Sequence, residues 1–149
     1  MSFRWIFFAC LIACSSKTPE KADKDIFGFR KHFKSGDVLL RTGYTNQTKL
    51  IGELTKSPLT ECGLIEVDDV NVWVWFVSKT VKRETLTNWL TMGYDQKFIA
   101  LRYANHSAIF ETKFKLALFR FKGLPEDTVF DFNTSAVYSS ELVVKLYEQ

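Results

Sequence analysis

The sequence predicts a mixed α+β domain, and three observations predict it. Asp37-Val38-Leu39-Leu40-Arg41 and Val72-Trp73-Val74-Trp75-Phe76-Val77 are short apolar runs of strand character. Phe110, Phe114, Ala117, Leu118 and Phe121 fall at i, i+4, i+7, i+8 and i+11, the stripe of an amphipathic helix. A length of 149 residues, 46% apolar and 25% charged, suits one domain with a real core. Fourteen Phe and four Trp make that core aromatic. The formal charge is only +3, with Lys/Arg interleaved with Asp/Glu, so no nucleic-acid partner is expected.

The elements follow in order. Residues 25–34 place Ile26, Phe29 and Phe33 on one helical stripe, which Ser35-Gly36 breaks. Residues 37–41 form a strand and Thr42-Gly43 a turn. Residues 46–56 have helical spacing through Leu50, Ile51 and Leu54, stopped by Ser57-Pro58. Residues 60–67 and 71–79 read as two strands joined by Asp68-Asp69. The second is apolar on both faces and belongs in the middle of a sheet, covered on both sides. Leu86, Trp89 and Leu90 suit a short helix ending at Met92-Gly93. Residues 97–103 form another strand and 107–122 the longest helix, ended by Gly123-Leu124-Pro125. After a Phe-rich turn at 129–132, Glu141, Leu142, Val143 and Leu146 open a last helix with Ser139 or Ser140 at or near its N-cap, where the serines read first as helix caps.

The N-terminus reads as an address. Arg4 precedes an apolar run, residues 5–13, too short to span a bilayer and suited to a signal-peptide core. Leu11-Ile12-Ala13-Cys14 resembles a bacterial lipoprotein lipobox. That resemblance implies cleavage before Cys14 and lipid attachment to its sulfur, with two or three acyl chains giving stable membrane anchoring. The organisation expected is a signal peptide at 1–13, a lipidated tether at 14–24 and a domain at 25–149. Ser15 after the cysteine implies the outer membrane of the cell envelope, facing the periplasm. Cys10 then leaves with the signal and Cys14 carries lipid, so Cys62 stands alone as a buried thiol without a disulfide.

Three ordered segments resemble the circularly permuted papain-like hydrolases of the NlpC type, in their YiiX/YebB (YaeF-like) branch. They are Ser35-Gly36-Asp37-Val38-Leu39-Leu40, then Ser57-Pro58-Leu59-Thr60-Glu61-Cys62-Gly63-Leu64-Ile65, then Tyr138-Ser139-Ser140-Glu141-Leu142-Val143. The resemblance covers residues 35–149. It implies a small antiparallel sheet packed with helices, a base histidine on an early strand, and a nucleophilic cysteine on a late helix. Active members cut amide or ester bonds with a Cys–His pair oriented by a third polar residue. This sequence departs at each catalytic position: Glu61 stands for the histidine, Ser139 for the cysteine and Phe76 for the third residue. The chain also stops ten residues after Ser139, where family members usually continue, so a C-terminal part of the fold is expected to be missing.

No other constellation replaces the lost one. Strand alternation turns Cys62 away from the face that carries Glu61. His106 and His32 have no spacing to Ser139, and two histidines with one free cysteine make no metal site, so no cofactor or metal is expected. The leading expectation is a degenerate hydrolase on a lipid anchor, binding a cell-wall peptide, acyl chain or lipid headgroup in its cleft without cleaving it. Two alternatives stay open: a rewired amide/ester hydrolase using Ser139 with Glu61, and an envelope lipoprotein with a structural or interaction role. Filling of the region near Glu61 and Ser139 by Trp75 or Phe76 would leave no cleft and favour the last. The sequence sets no oligomeric state.

Overall fold

A computed structural model describes residues 5–6, 30–132 and 135–148. Cys14, the tether and most of the expected signal peptide lie outside the described residues. Most of the helix expected over 25–34 does too; Arg30 is helical, but the chain has already turned at Lys31 and His32.

The strands are β1 (Trp5–Ile6), β2 (Val38–Arg41), β3 (Glu61–Val67), β4 (Val72–Ser78), β5 (Thr80–Thr85) and β6 (Phe98–Tyr103). They form one sheet in the order β1-β6-β2-β3-β4-β5, every neighbouring pair antiparallel. The helices are α1 (Asn46–Thr55), α2 (Leu86–Thr91), α3 (Ala108–Phe121) and α4 (Ser139–Tyr147).

Alternation along the strands builds two cores. Val38, Cys62, Leu64, Trp75 and Val77 face Phe114, Ala117 and Leu118 of α3 and Leu142 and Leu146 of α4. Leu39, Ile65, Val74 and Phe76 face the other way, onto Leu86 and Trp89 of α2. β4 is therefore covered on both sides, as its double-faced apolar run requires. Each buried aliphatic or aromatic side chain contributes about 1.5–3 kcal/mol.

Local chemistry sets the ends. The Asp68 carboxylate accepts from Val70 N at 2.8 Å, Asn71 N at 2.6 Å and Trp73 Nε1 at 2.6 Å, closing the β3–β4 turn. Thr45, Thr85 and Ser107 cap α1, α2 and α3 through their hydroxyls.

Three sequence expectations need correction. Residues 80–85 form β5, a strand the apolar pattern does not reveal, because only Val81 points inward and Lys82, Arg83 and Glu84 decorate a sheet edge. The hairpin before it turns at Lys79, in a left-handed conformation (φ 61°), with no glycine to mark it. Glu126 holds that turn instead, accepting from Lys79 N at 2.8 Å and donating its own N–H to Lys79 O at 2.9 Å. On α1 the apolar stripe does not face the core: Leu50 and Leu54 are exposed, and Thr48 is the buried residue. The serines do not cap α4. Tyr138 is the N-cap and Ser139 the first helical residue, with Glu141 accepting from Tyr138 N at 3.3 Å.

Candidate functional site

The site lies where three strands end together. β2 finishes at Arg41, β3 opens at Glu61 directly opposite in the antiparallel register, and β4 finishes at Val77-Ser78. The N-terminus of α4 arrives at the same end, bringing Tyr138, Ser139 and Ser140. These groups line a cleft of about 580 Å³ that α1 and Phe130 border.

Glu61, Phe76 and Ser139, the three positions that the resemblance singled out, all line this one cleft. Phe76 lies on its wall and leaves it open. Trp75 points to the opposite core, where its Nε1 donates to Glu66 Oε2 at 2.7 Å and its ring meets Phe119 edge-on. Aromatic filling has not closed the cleft.

Glu61 and Ser139 each bond elsewhere. Ser139 Oγ accepts from Val77 N at 3.3 Å, tying the start of α4 to the end of β4. Glu61 Oε2 accepts from Arg41 Nε at 2.7 Å and lies 2.5 Å from Arg41 Nη2. The guanidinium also lies over the Trp89 ring, 3.9 Å from its centroid. Burial lowers the Arg41 pKa below its usual value, and the Glu61 charge opposes that shift. Arg41 Nη1 is buried and has no hydrogen-bond partner.

Cys62 sits one residue on, facing the α3/α4 core, as alternation requires. Burial pushes its thiol up to about 12, so it is neither thiolate nor nucleophile near neutral pH. His106 places Nε2 3.0 Å from Ser35 O and packs its ring on Phe110, away from the cleft lining. His32 offers its carbonyl to Arg102 Nη2 at 2.6 Å.

Arg41, Trp89 and Ile51 are cleft residues that the sequence reading missed. A signal for Arg41 was present: a charge ends one apolar strand and an opposite charge opens the next, the arrangement of a cross-strand ion pair. Trp89 and Ile51 carry no such mark.

No family model matches the chain. Its sequence is 26% identical over 117 residues to the uncharacterized protein YiiX of Escherichia coli K12, covering 77% of this chain and 57% of that protein. The fold agrees. The crystal structure of YiiX from Escherichia coli O157:H7, described as a metalloprotein and DUF1105, superposes with a TM-score of 0.74. That match has 25% identity and covers 77% of this chain and 64% of the other. This chain is similar to YiiX in both sequence and fold. It spans less than two thirds of the YiiX chains it matches.

Proposed function

We propose that the domain is a papain-like, NlpC-type cleft that has lost hydrolysis and keeps ligand binding, its ligand a cell-wall peptide, an acyl chain or a lipid headgroup. The observation that carries this reading is the Arg41–Glu61 ion pair. The Glu61 oxygen that a base would use is turned to two guanidinium nitrogens of Arg41, while the Ser139 hydroxyl bonds the Val77 amide, so no hydrogen bond joins the two as nucleophile and base. Ser139 retains a hydroxyl, but Oγ is aimed at the Val77 amide and has no imidazole beside it. Losing a nucleophile–base unit costs on the order of 10⁶ in turnover.

The cleft itself supports binding. It is open, and apolar Ile51, Leu59, Phe76 and Phe130 share its lining with polar side chains. The metal implied by the description of YiiX finds no ligand set here: among the described residues no three His, Cys, Asp or Glu stand together to hold one. The address completes the proposal. Lipid on Cys14 would tether the domain to the outer membrane on its periplasmic side, and cleavage there would remove β1 and leave β6 as a sheet edge.

The test is hydrolysis of acyl esters, N-acyl amides and cell-wall peptides by the full chain, with Ser139→Ala and Glu61→His/Ser139→Cys beside it. No turnover in the parent and turnover in the double variant is the expected result. Parent turnover abolished by Ser139→Ala would instead establish a rewired serine hydrolase.

A further inference from the structure

The cleft opens between two lips that hold apolar side chains out to water. One lip is α1. Gln47 and Ile51 line the cleft, and Leu50 and Leu54 each stand three positions further on, neighbours of the lining residues along the helix surface. Both leucines are exposed, Leu54 to 74%, as is Tyr44, which lines the cleft just before the helix. The other lip is the loop that carries Phe130. The buried Asp127 carboxylate accepts from Val129 N at 2.7 Å, Phe130 N at 3.0 Å and Asp131 N at 2.7 Å, and so fixes this loop from beneath. Phe130 has a left-handed backbone (φ 59°), a conformation that a bulky L-residue rarely adopts. What the loop holds up is apolar: Val129, 81% exposed, and Phe130, which borders the cleft.

Apolar tips on both sides of one opening call for an occupant that meets both lips at once. The exposed charges among them are Lys49, Lys56 and Lys79 against Glu53 and Asp131. That small positive excess suits anionic headgroups, and the apolar tips supply insertion. The length of chain before the domain brings such a surface within reach. Arg30 donates to Asp68 O at the β3–β4 turn, the end of β3 away from Glu61. The seven residues of β3 separate that turn from the cleft by about 20 Å. Cys14 precedes Arg30 by sixteen residues. A flexible chain of that length spans about 20–24 Å on average and about 55 Å at full stretch. A lipid on Cys14 would therefore leave the cleft end free to turn onto the surface that holds the anchor.

We infer that α1 and the Val129–Phe130 loop dock on the bilayer that carries the Cys14 lipid, so that the cleft opens onto the membrane. Leu50, Leu54, Val129 and Phe130 enter the boundary between headgroups and acyl chains. Tyr44 sits at headgroup level, and the lysines extend to the anionic headgroups. The inference rests on the anchor for proximity and adds a contact of the protein itself, which sets the orientation of the domain. Shallow insertion that is weak alone becomes effective once the tether holds the lips near the surface.

The experiment is dye fluorescence of the full chain, purified from membranes and reconstituted in vesicles of phosphatidylethanolamine and phosphatidylglycerol. The dye is carried by Leu54→Cys, Val129→Cys or Ile109→Cys, with the unsubstituted chain as labelling blank. Ile109 is exposed on α3, outside the cleft lining, and serves as the reference. Nitroxide-labelled lipid should quench the dyes on the two lips roughly threefold more than the dye on α3. Adding Leu50→Lys and Val129→Lys to Leu54→Cys should remove most of that excess. Should Val129→Cys unsettle its loop, Thr128→Cys reports the same lip. Equal quenching at all positions would overturn the docking inference. Lip dyes shielded from aqueous iodide but not reached by the lipid quencher would assign the lips to a second copy of the chain and overturn it too. The mass of the Cys14 peptide decides the anchor separately: a bare thiol there removes the anchor reading, while stronger quenching on the lips would still establish docking.

Discussion

Replacing Arg41 with Met should cost the fold about 2–3 kcal/mol. Methionine keeps most of the stem's packing over Trp89 but removes both bonds to Glu61 Oε2, at 2.7 and 2.5 Å, and the cation over the indole. Breaking a buried ion pair by truncating one partner costs about 3–5 kcal/mol, because the other charge stays behind unpaired. Here that figure falls, because the Glu61 side chain is 24% exposed and can draw in water, while the Arg41 side chain is 5% exposed. With a urea slope of about 1.5 kcal/mol per molar, the unfolding midpoint should drop by about 1.3–2 M at unchanged slope. Glu61→Gln should cost less, about 1 kcal/mol, since the amide oxygen still accepts from Arg41. In the double variant the orphaned charge is gone, so the cycle should show about 1–2 kcal/mol of coupling. A parent-like midpoint in Arg41→Met, or single effects that add within about 0.5 kcal/mol, would mean the pair is not what organises this end of the sheet.

Two further predictions follow from the buried side of the site. Cys62 should resist iodoacetamide at pH 8 in the folded chain and label on unfolding, read by mass spectrometry of its own peptide. Because its pKa is raised to about 12, the folded state favours the neutral thiol. That contribution to stability is whole below the unfolded value near 8.5 and is lost as pH rises from there through about 12. Fast native labelling at pH 8 would refute the burial argument. Gly63→Ala should destabilise by about 1–3 kcal/mol: its Cβ would overlap Val74 Cγ1 and stand 3.3 Å from Trp89 Cζ2, both fully packed. A midpoint equal to the parent's would show that this core has room to yield.

Periodicity alone determined most of the element order. The double-faced apolar run of β4, the Phe stripe of α3 and the Asp68 turn each carry their cause within a few residues, so each can be read locally. Alternation likewise placed Cys62 on the face opposite Glu61 before any packing was known. The ordered motifs brought Glu61, Phe76 and Ser139 together as candidates for one site, and they do line one cleft.

What the sequence could not determine depends on partners distant along the chain. β5 carries one inward apolar residue, and its preceding turn is held by Glu126, 47 positions from Lys79. The apolar stripe of α1 gave no hint that it would be left outside, since helical spacing records which residues share a face but not what that face meets. Ser139 looked like a cap because capping residues and first-turn residues share the same composition; only the bond to Val77, 62 positions away, separates the roles. The Arg41–Glu61 pair needed the β2–β3 register to bring two charges 20 positions apart into contact. Local patterns specify local conformation, whereas the partner that a polar side chain bonds is chosen only when the sheet closes and water is excluded.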